Sequence, residues 1–205
     1  MVRDPEFPTT PETVIAVDGV APSEQAPVHL LLNKPRGLVT TTSDEHGRDT
    51  VYRCFDGAGL PWIAPVGRLD KASEGLLLFS NDPRWAARIT DPETGPDKTY
   101  HVQVDTIPGD ALLAALAEGV DADGERLRAK SASLLRSGTR NAWLEIVLDE
   151  GRNRQIRRLL SAFDITVLRL VRTAIGPLQL GDLPKGAWRH LSSGEVEDLR
   201  PAFTE

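Results

Sequence analysis

Gly67-Arg68-Leu69-Asp70-Lys71-Ala72-Ser73-Glu74-Gly75 runs directly into Leu76-Leu77-Leu78-Phe79-Ser80-Asn81-Asp82. A short charged loop is bounded by glycines, and an unbroken apolar run follows it. Glycine lets the backbone bend where a side chain would clash, or lets another molecule come close. Residues 76–79 read as a buried strand, closed by the turn formers Asn81, Asp82 and Pro83. The carboxylate of Asp70 therefore stands on a constrained loop braced by a rigid element, which preorganises a reactive group. On local pattern alone a solvated loop is the commoner fate of such charges.

Outward from this loop, short strands alternate with few helices. Residues 29–33 form an apolar run that ends at the turn Lys34-Pro35-Arg36-Gly37, where Lys34 and Arg36 are placed to touch phosphates. Residues 98–104 alternate with period two, and 129–135 pairs with 141–148 through Ser137-Gly138-Thr139-Arg140. Residues 166–171 read as a further strand. Helices are predicted over 82–89, capped by Asn81 or Asp82 with Pro83 in the first turn, over 108–118, and from Ser193 to 199. Another is predicted from a cap at Asn153 to residue 163, with Ile156, Leu159, Leu160 and Phe163 facing the core. Residues 118–125 read as an exposed acidic turn, and 38–49 as a mobile polar loop. Residues 1–27 are rich in Pro, Thr and acids and read as disordered; Arg3-Asp4-Pro5-Glu6-Phe7 is set aside as vector-like. This pattern predicts an α+β fold rather than a doubly wound sheet.

A chain of 205 residues, 40% of them apolar, supports one domain with a real core or two small subdomains. No apolar run nears the roughly 20 residues that span a bilayer. With no leader evident, a cytoplasmic location is the expectation. The lone Cys54 allows no internal disulfide and reads as a small hydrophobe. His29, His46, His101 and His190 lie far apart, and no metal site is expected. Net charge is −6, yet residues 152–172 hold six arginines against the single acid Asp164. Such a run predicts a local basic face on an acidic body, suited to a polyanion. Arg152, Arg154 and Arg158 are its candidate RNA contacts.

Several segments carry a resemblance. They are the opening loop, Leu31-Leu32-Asn33-Lys34-Pro35-Arg36-Gly37, His46-Gly47-Arg48-Asp49-Thr50-Val51, Lys98-Thr99-Tyr100, and Glu150-Gly151-Arg152-Asn153-Arg154-Gln155-Ile156-Arg157-Arg158-Leu159-Leu160. Ile175-Gly176-Pro177-Leu178 and Gly186-Ala187-Trp188-Arg189-His190-Leu191 continue the pattern, so it covers residues 30–199. Together they resemble pseudouridine synthases, most closely the branch that modifies ribosomal RNA and carries Ser-Glu-Gly after its aspartate. Pro83 stands where that family usually has glycine. The resemblance implies a central mixed β-sheet shared by two subdomains, with the active site in the cleft between them. It also implies a catalytic domain over 28–205 that needs no cofactor. Asp70 would be the catalytic residue, Tyr100 would lie against the target base, and Arg157 would pair with Asp70. Arg68, beside Asp70, would fill the space left by the flipped base or grip a phosphate. Residues 1–27 are too short for the S4-type RNA-binding domain found in many relatives, and could be at most its trailing edge. That domain content is similar to the E-type synthases acting on the large ribosomal particle and points to 23S rRNA, with 16S rRNA as the alternative target and a monomer as the expected state. The rival from another class is a non-catalytic RNA-binding or ribosome-assembly protein with the same fold. A glycosidic hydrolase would want a second carboxylate, and Glu74 reads as structural.

Overall fold

The computed structural model describes residues 26–42 and 44–199. The expectations for residues 1–27 therefore fall almost wholly outside the described residues. In chain order the elements are β1 (His29–Lys34), β2 (Ala64–Val66), β3 (Glu74–Ser80), α1 (Pro83–Thr90), β4 (Lys98–Val104), α2 (Asp110–Glu118), β5 (Val120–Ala122), β6 (Glu125–Leu127), β7 (Ser131–Ser137) and β8 (Ala142–Leu148). There follow α3 (Gln155–Ser161), β9 (Val167–Ile175), β10 (Leu178–Gln179), β11 (Trp188–His190) and α4 (Ser193–Asp198). Among the described residues, nine strands make one mixed sheet in the order β11–β1–β3–β9–β4–β8–β7, with β2 on β3 and β10 on β9. No helix among them is long and apolar enough to cross a membrane.

Every pairing in this sheet is antiparallel except β3 with β9. That parallel seam rests on Glu74 opposite Val171 and Gly75 opposite Arg172. On one side of it, β1 and β3 are buried on both faces. Leu31, Leu76 and Leu78 pack with Trp85 and Ile89 of α1. Leu30, Leu32, Leu77 and Phe79 pack the other way, against Val51 and Ile63. Burial on two faces is why the run is continuously apolar rather than alternating. Across the seam, Val102, Val104, Leu144 and Ile146 pack beneath Leu116 of α2 and Ile156, Leu159 and Leu160 of α3. Tyr100 touches clusters on both sides.

Gly75 makes the seam possible. Its φ is +101°, and a Cβ there would lie 2.8 Å from the Arg172 nitrogen and closer still to the Arg172 carbonyl oxygen. No L side chain fits that approach.

Local signals are met at α1, where the Asp82 carboxylate accepts hydrogen bonds from the Arg84 and Trp85 amides. Pro83 occupies the first helical position, where its missing N–H is no loss, so the departure from the family's glycine leaves this turn intact. Other expectations need correction. Residues 118–125 are not simply a turn: β5 and β6 pair as a hairpin around Asp123 and Gly124, both at positive φ. Nor is Asn153 the cap of α3. Arg154 holds that position in the left-handed region, φ 50°, with no capping side chain. The cause is Gln155, whose side chain donates to Glu150 Oε1 (2.6 Å) and the Arg128 carbonyl while accepting from the Arg152 amide. It pulls residues 150–154 into a compact loop that reaches helical geometry only afterwards. Strand β9 also runs on to Ile175, because residues beyond 171 pair with both β3 and β4.

Candidate active site

The loop carrying Asp70 is fastened from beneath by a lysine. Lys34 is fully buried, and its Nζ donates to the carbonyls of Ser73 (2.9 Å), Pro35 (3.1 Å) and Asp70 (3.2 Å). The Ser73 amide donates to the Asp70 carbonyl (2.9 Å), and Thr40 Oγ1 donates to that of Leu69 (2.7 Å). Burial lowers the Lys34 pKa to about 8, a drop opposed by the nearby charge of Asp70. Lys34 is therefore a brace and not the phosphate contact expected of it: a side chain with no exposed surface cannot meet RNA. Glu74 closes the other end of the loop. It takes a two-pronged contact from Arg169 of β9 (2.7 and 3.0 Å) and a further one from Lys185. Those partners, Arg169 first, hold its carboxyl down at about 2 despite burial. Glu74 thus ties β3 to β9 across the seam, in keeping with its structural reading.

Beside the seam lies a cleft of about 660 Å³, lined by Arg68, Asp70, Lys98, Tyr100, Arg152, Arg154, Arg157 and Arg172, with apolar walls from Leu148, Ile156, Leu170 and Ile175. Its size is that of an ordinary small-ligand site. Asp70 comes from the loop before β3, Tyr100 from β4 and the arginines mostly from the entry to α3. The Asp70 side chain is 31% exposed, and its ion-pair partner is Arg154 Nη1 at 3.6 Å. The expected Arg157–Asp70 pair is thereby corrected. Arg157 instead donates from Nη2 to the Ala72 carbonyl and from Nη1 to that of Val167, both at 3.4 Å. It braces the backbone beyond Asp70 without an ion pair to the carboxylate, whose charge is still near enough to oppose the lowering of the Arg157 pKa by burial. The left-handed turn at Arg154 is what brings that guanidinium, one helical turn earlier, to Asp70.

Residues 28–162 match the sequence profile of the family described as RNA pseudouridylate synthase. This chain belongs to that family. Among its relatives, the ribosomal large subunit pseudouridine synthase E of Xanthomonas campestris pv. campestris is 39% identical over 190 residues, covering 84% of this chain and 98% of that protein. The ribosomal large subunit pseudouridine synthase B of Bacillus subtilis is 35% identical over 189 residues, covering 91% and 77%. A crystal structure of a pseudouridylate synthase superposes with a TM-score of 0.75 at 33% identity, over 85% of this chain and 74% of that one.

In this pseudouridine synthase the arginine-rich run does not form one open basic face. Arg158 is engaged by Glu125 (2.6 Å) and Asp123 (3.1 Å) of the β5–β6 hairpin and by the Ala122 carbonyl. Arg158 is therefore paired and not free, because its acidic partners arrive from a hairpin distant in sequence. Arg152 pairs with Glu150, and Arg169 is held by Glu74. Arg36 and Arg68 are exposed, and Arg154 is 51% exposed. Lys98 and Arg172 line the cleft, although the sequence shows them only as the first residue of the Lys98-Thr99-Tyr100 motif and the last arginine of the basic run. Arg172 carried a signal: alternation places it in the buried row of Leu170 and Ala174.

Reversing charge at Arg154 and at Arg158 is expected to separate them. Arg154→Glu should weaken RNA binding and lower the slope of log affinity against log salt by about one. Arg158→Glu should leave that slope alone and lower the melting temperature, since it sets like charges together at the hairpin. Equal slopes for both variants would mean that Arg158 still meets RNA.

Proposed function

We propose that the protein isomerises a uridine of large-subunit ribosomal RNA to pseudouridine, with Asp70 acting at C1′. One arrangement carries this reading: the Asp70 carboxylate, the Tyr100 ring and the Arg154 guanidinium line a single cleft with apolar walls. The large-subunit names of the B and E relatives support 23S rRNA as the substrate.

The reaction breaks the N1–C1′ bond, turns the uracil and rejoins it through C5. It changes no oxidation state and adds no group, so it calls for no cofactor. Asp70 serves as the nucleophile at C1′ or as the base that starts elimination. Arg154 orients the carboxylate, and Arg157 acts as a positioning residue through the Ala72 carbonyl. Tyr100 offers a face on which the uracil stacks. The target base must first leave its stack, at a cost of a few kcal/mol that is smaller in a loop than in a paired stem. Arg36, Arg68, Arg152 and Arg154 grip the backbone around it. The catalytic domain is residues 28–205, acting as a monomer in the cytoplasm where rRNA is made.

Tritium release from uracil C5, measured on protein-free 23S and 16S rRNA separately, tests the proposal. Release from 23S rRNA alone is the expected result. Release from 16S rRNA alone would move the target to the small subunit, and release from neither would favour a non-catalytic RNA-binding role.

A further inference from the structure

We infer that Arg172 and Lys98 form a receptor for the uracil carbonyl oxygens that holds the detached base as an anion. The inference rests on the proposed isomerisation and assigns a part of the cleft that the Asp70 chemistry leaves unused.

Arg172 is only 6% exposed, yet its one side-chain hydrogen bond among the described residues runs from Nε to the Leu76 carbonyl (2.8 Å). Nη2 is buried with no partner. A guanidinium has five N–H donors and loses much hydration on burial, so leaving Nη2 without an acceptor is costly. No carboxylate among the described residues is at ion-pair distance to offset this. Lys98 lies nearby in the same cleft. Its ammonium too makes no hydrogen bond or ion pair among the described residues. Burial lowers its pKa, the charge of Arg172 adds to the drop, and the charges of Asp97, Asp149 and Asp91 oppose it.

Their placement follows from the sheet. Tyr100 is opposite Arg172 in the β4–β9 register, and Lys98 is two residues before Tyr100 on β4. Cross-strand partners and alternate residues share a face, so the two cations flank the ring offered to the base. The Asp70 charge has its own partner in Arg154. The other carboxylates of the lining are engaged too, Asp91 by the Glu93 and Thr94 amides and Glu150 by Arg152 and Gln155, which leaves two cations and an aromatic ring among Leu148, Leu170 and Ile175. A guanidinium buried this deeply is out of reach of a phosphate on the strand outside; the flipped base is what enters.

The chemistry supplies the missing acceptor. When the C1′–N1 bond breaks, its electron pair stays with the uracil, whether Asp70 attacks C1′ or starts an elimination. The charge spreads over N1, O2 and O4. Arg172 and Lys98 donate to those carbonyl oxygens, in a site whose apolar walls strengthen each contact. The anion turns between donors that do not move. C5 then bonds to C1′ as the Asp70–C1′ ester bond breaks or, on the elimination route, as Asp70 returns its proton to C2′, and the C5 proton ends on N1. Atoms and charge balance with no further reactant.

The test compares Arg172→Gln and Lys98→Met with wild type in single turnover on 23S rRNA transcripts made with uridine or with 5-fluorouridine. Pseudouridine formed or, for the fluorinated RNA, whose C5 has no proton to lose, 5-fluorouridine consumed is read by chromatography of the digested nucleosides, and RNA affinity is measured alongside. Losing one such donor should slow the uridine reaction by about 100-fold or more while RNA affinity is kept. Fluorine stabilises the uracil anion by itself, so the loss should be clearly smaller on 5-fluorouridine RNA. A purely structural role would slow both substrates by one factor, and that outcome, or wild-type rates in both variants, overturns the inference. Should Arg172→Gln fail to fold, Lys98→Met decides alone, because Lys98 holds no backbone carbonyl. Wild-type inactivity on 23S rRNA would overturn the proposed function itself; an active wild type with unaffected variants overturns only this receptor.

Discussion

Asp70→Asn is expected to bind RNA nearly as well as wild type and to form no pseudouridine. The amide keeps the shape of the side chain but can neither attack C1′ nor accept a proton. Removing a reacting group of this kind costs about 10⁴-fold or more in rate. The fold should not suffer. The Asp70–Arg154 contact is long and partly exposed, and such pairs add little stability. The loop itself is held through backbone carbonyls by Lys34, Ser73 and Thr40, none of which touches the carboxylate. Rate and affinity should therefore part company in this variant. Single-turnover assays with binding and melting controls would check it, and substantial turnover would remove Asp70 from the chemistry.

Gly75→Ala is expected to cost both stability and activity, without touching a reacting group. The new Cβ would press on the backbone of Arg172 at the one parallel seam of the sheet, at a φ that side chains rarely adopt. Overpacking and backbone strain together put the loss at roughly 2–5 kcal/mol. For a domain of this size that lowers the melting temperature by about 5–15 °C. Spreading the seam also separates Asp70, on the β3 side, from Tyr100 and Arg172 on the other, so residual folded protein should turn over poorly. Gly194→Ala in α4 is the control. A Cβ there meets nothing within 4 Å, and the melt should hold or rise slightly. Melting curves for the two variants would decide; an unchanged melt for Gly75→Ala would mean that the seam can widen freely.

The sequence by itself determined what short-range sterics and periodicity govern. The strand Lys98–Val104 follows from alternation, and the start of α1 from an aspartate before a proline. The apolar run after Glu74 announced a buried strand. The glycine at position 75 marked either a bend or a close approach, and the chain alone did not say which. The family resemblance was legible because its motifs are contiguous in the chain.

Only the tertiary structure decided the partners of the charges. Lys34 looks exposed beside a Pro-Gly turn, and it is buried because the Asp70 loop folds over it from 36 residues away. Arg158 looks free because its acids lie 33 and 35 residues earlier, on a hairpin. Arg154 rather than Arg157 meets Asp70 because of a left-handed turn, which depends on how Gln155 folds back. Apolar side chains declare themselves by period, since burial against any neighbour suffices. An ion pair needs one particular partner within about 4 Å, and chain spacing does not encode where a distant segment will lie.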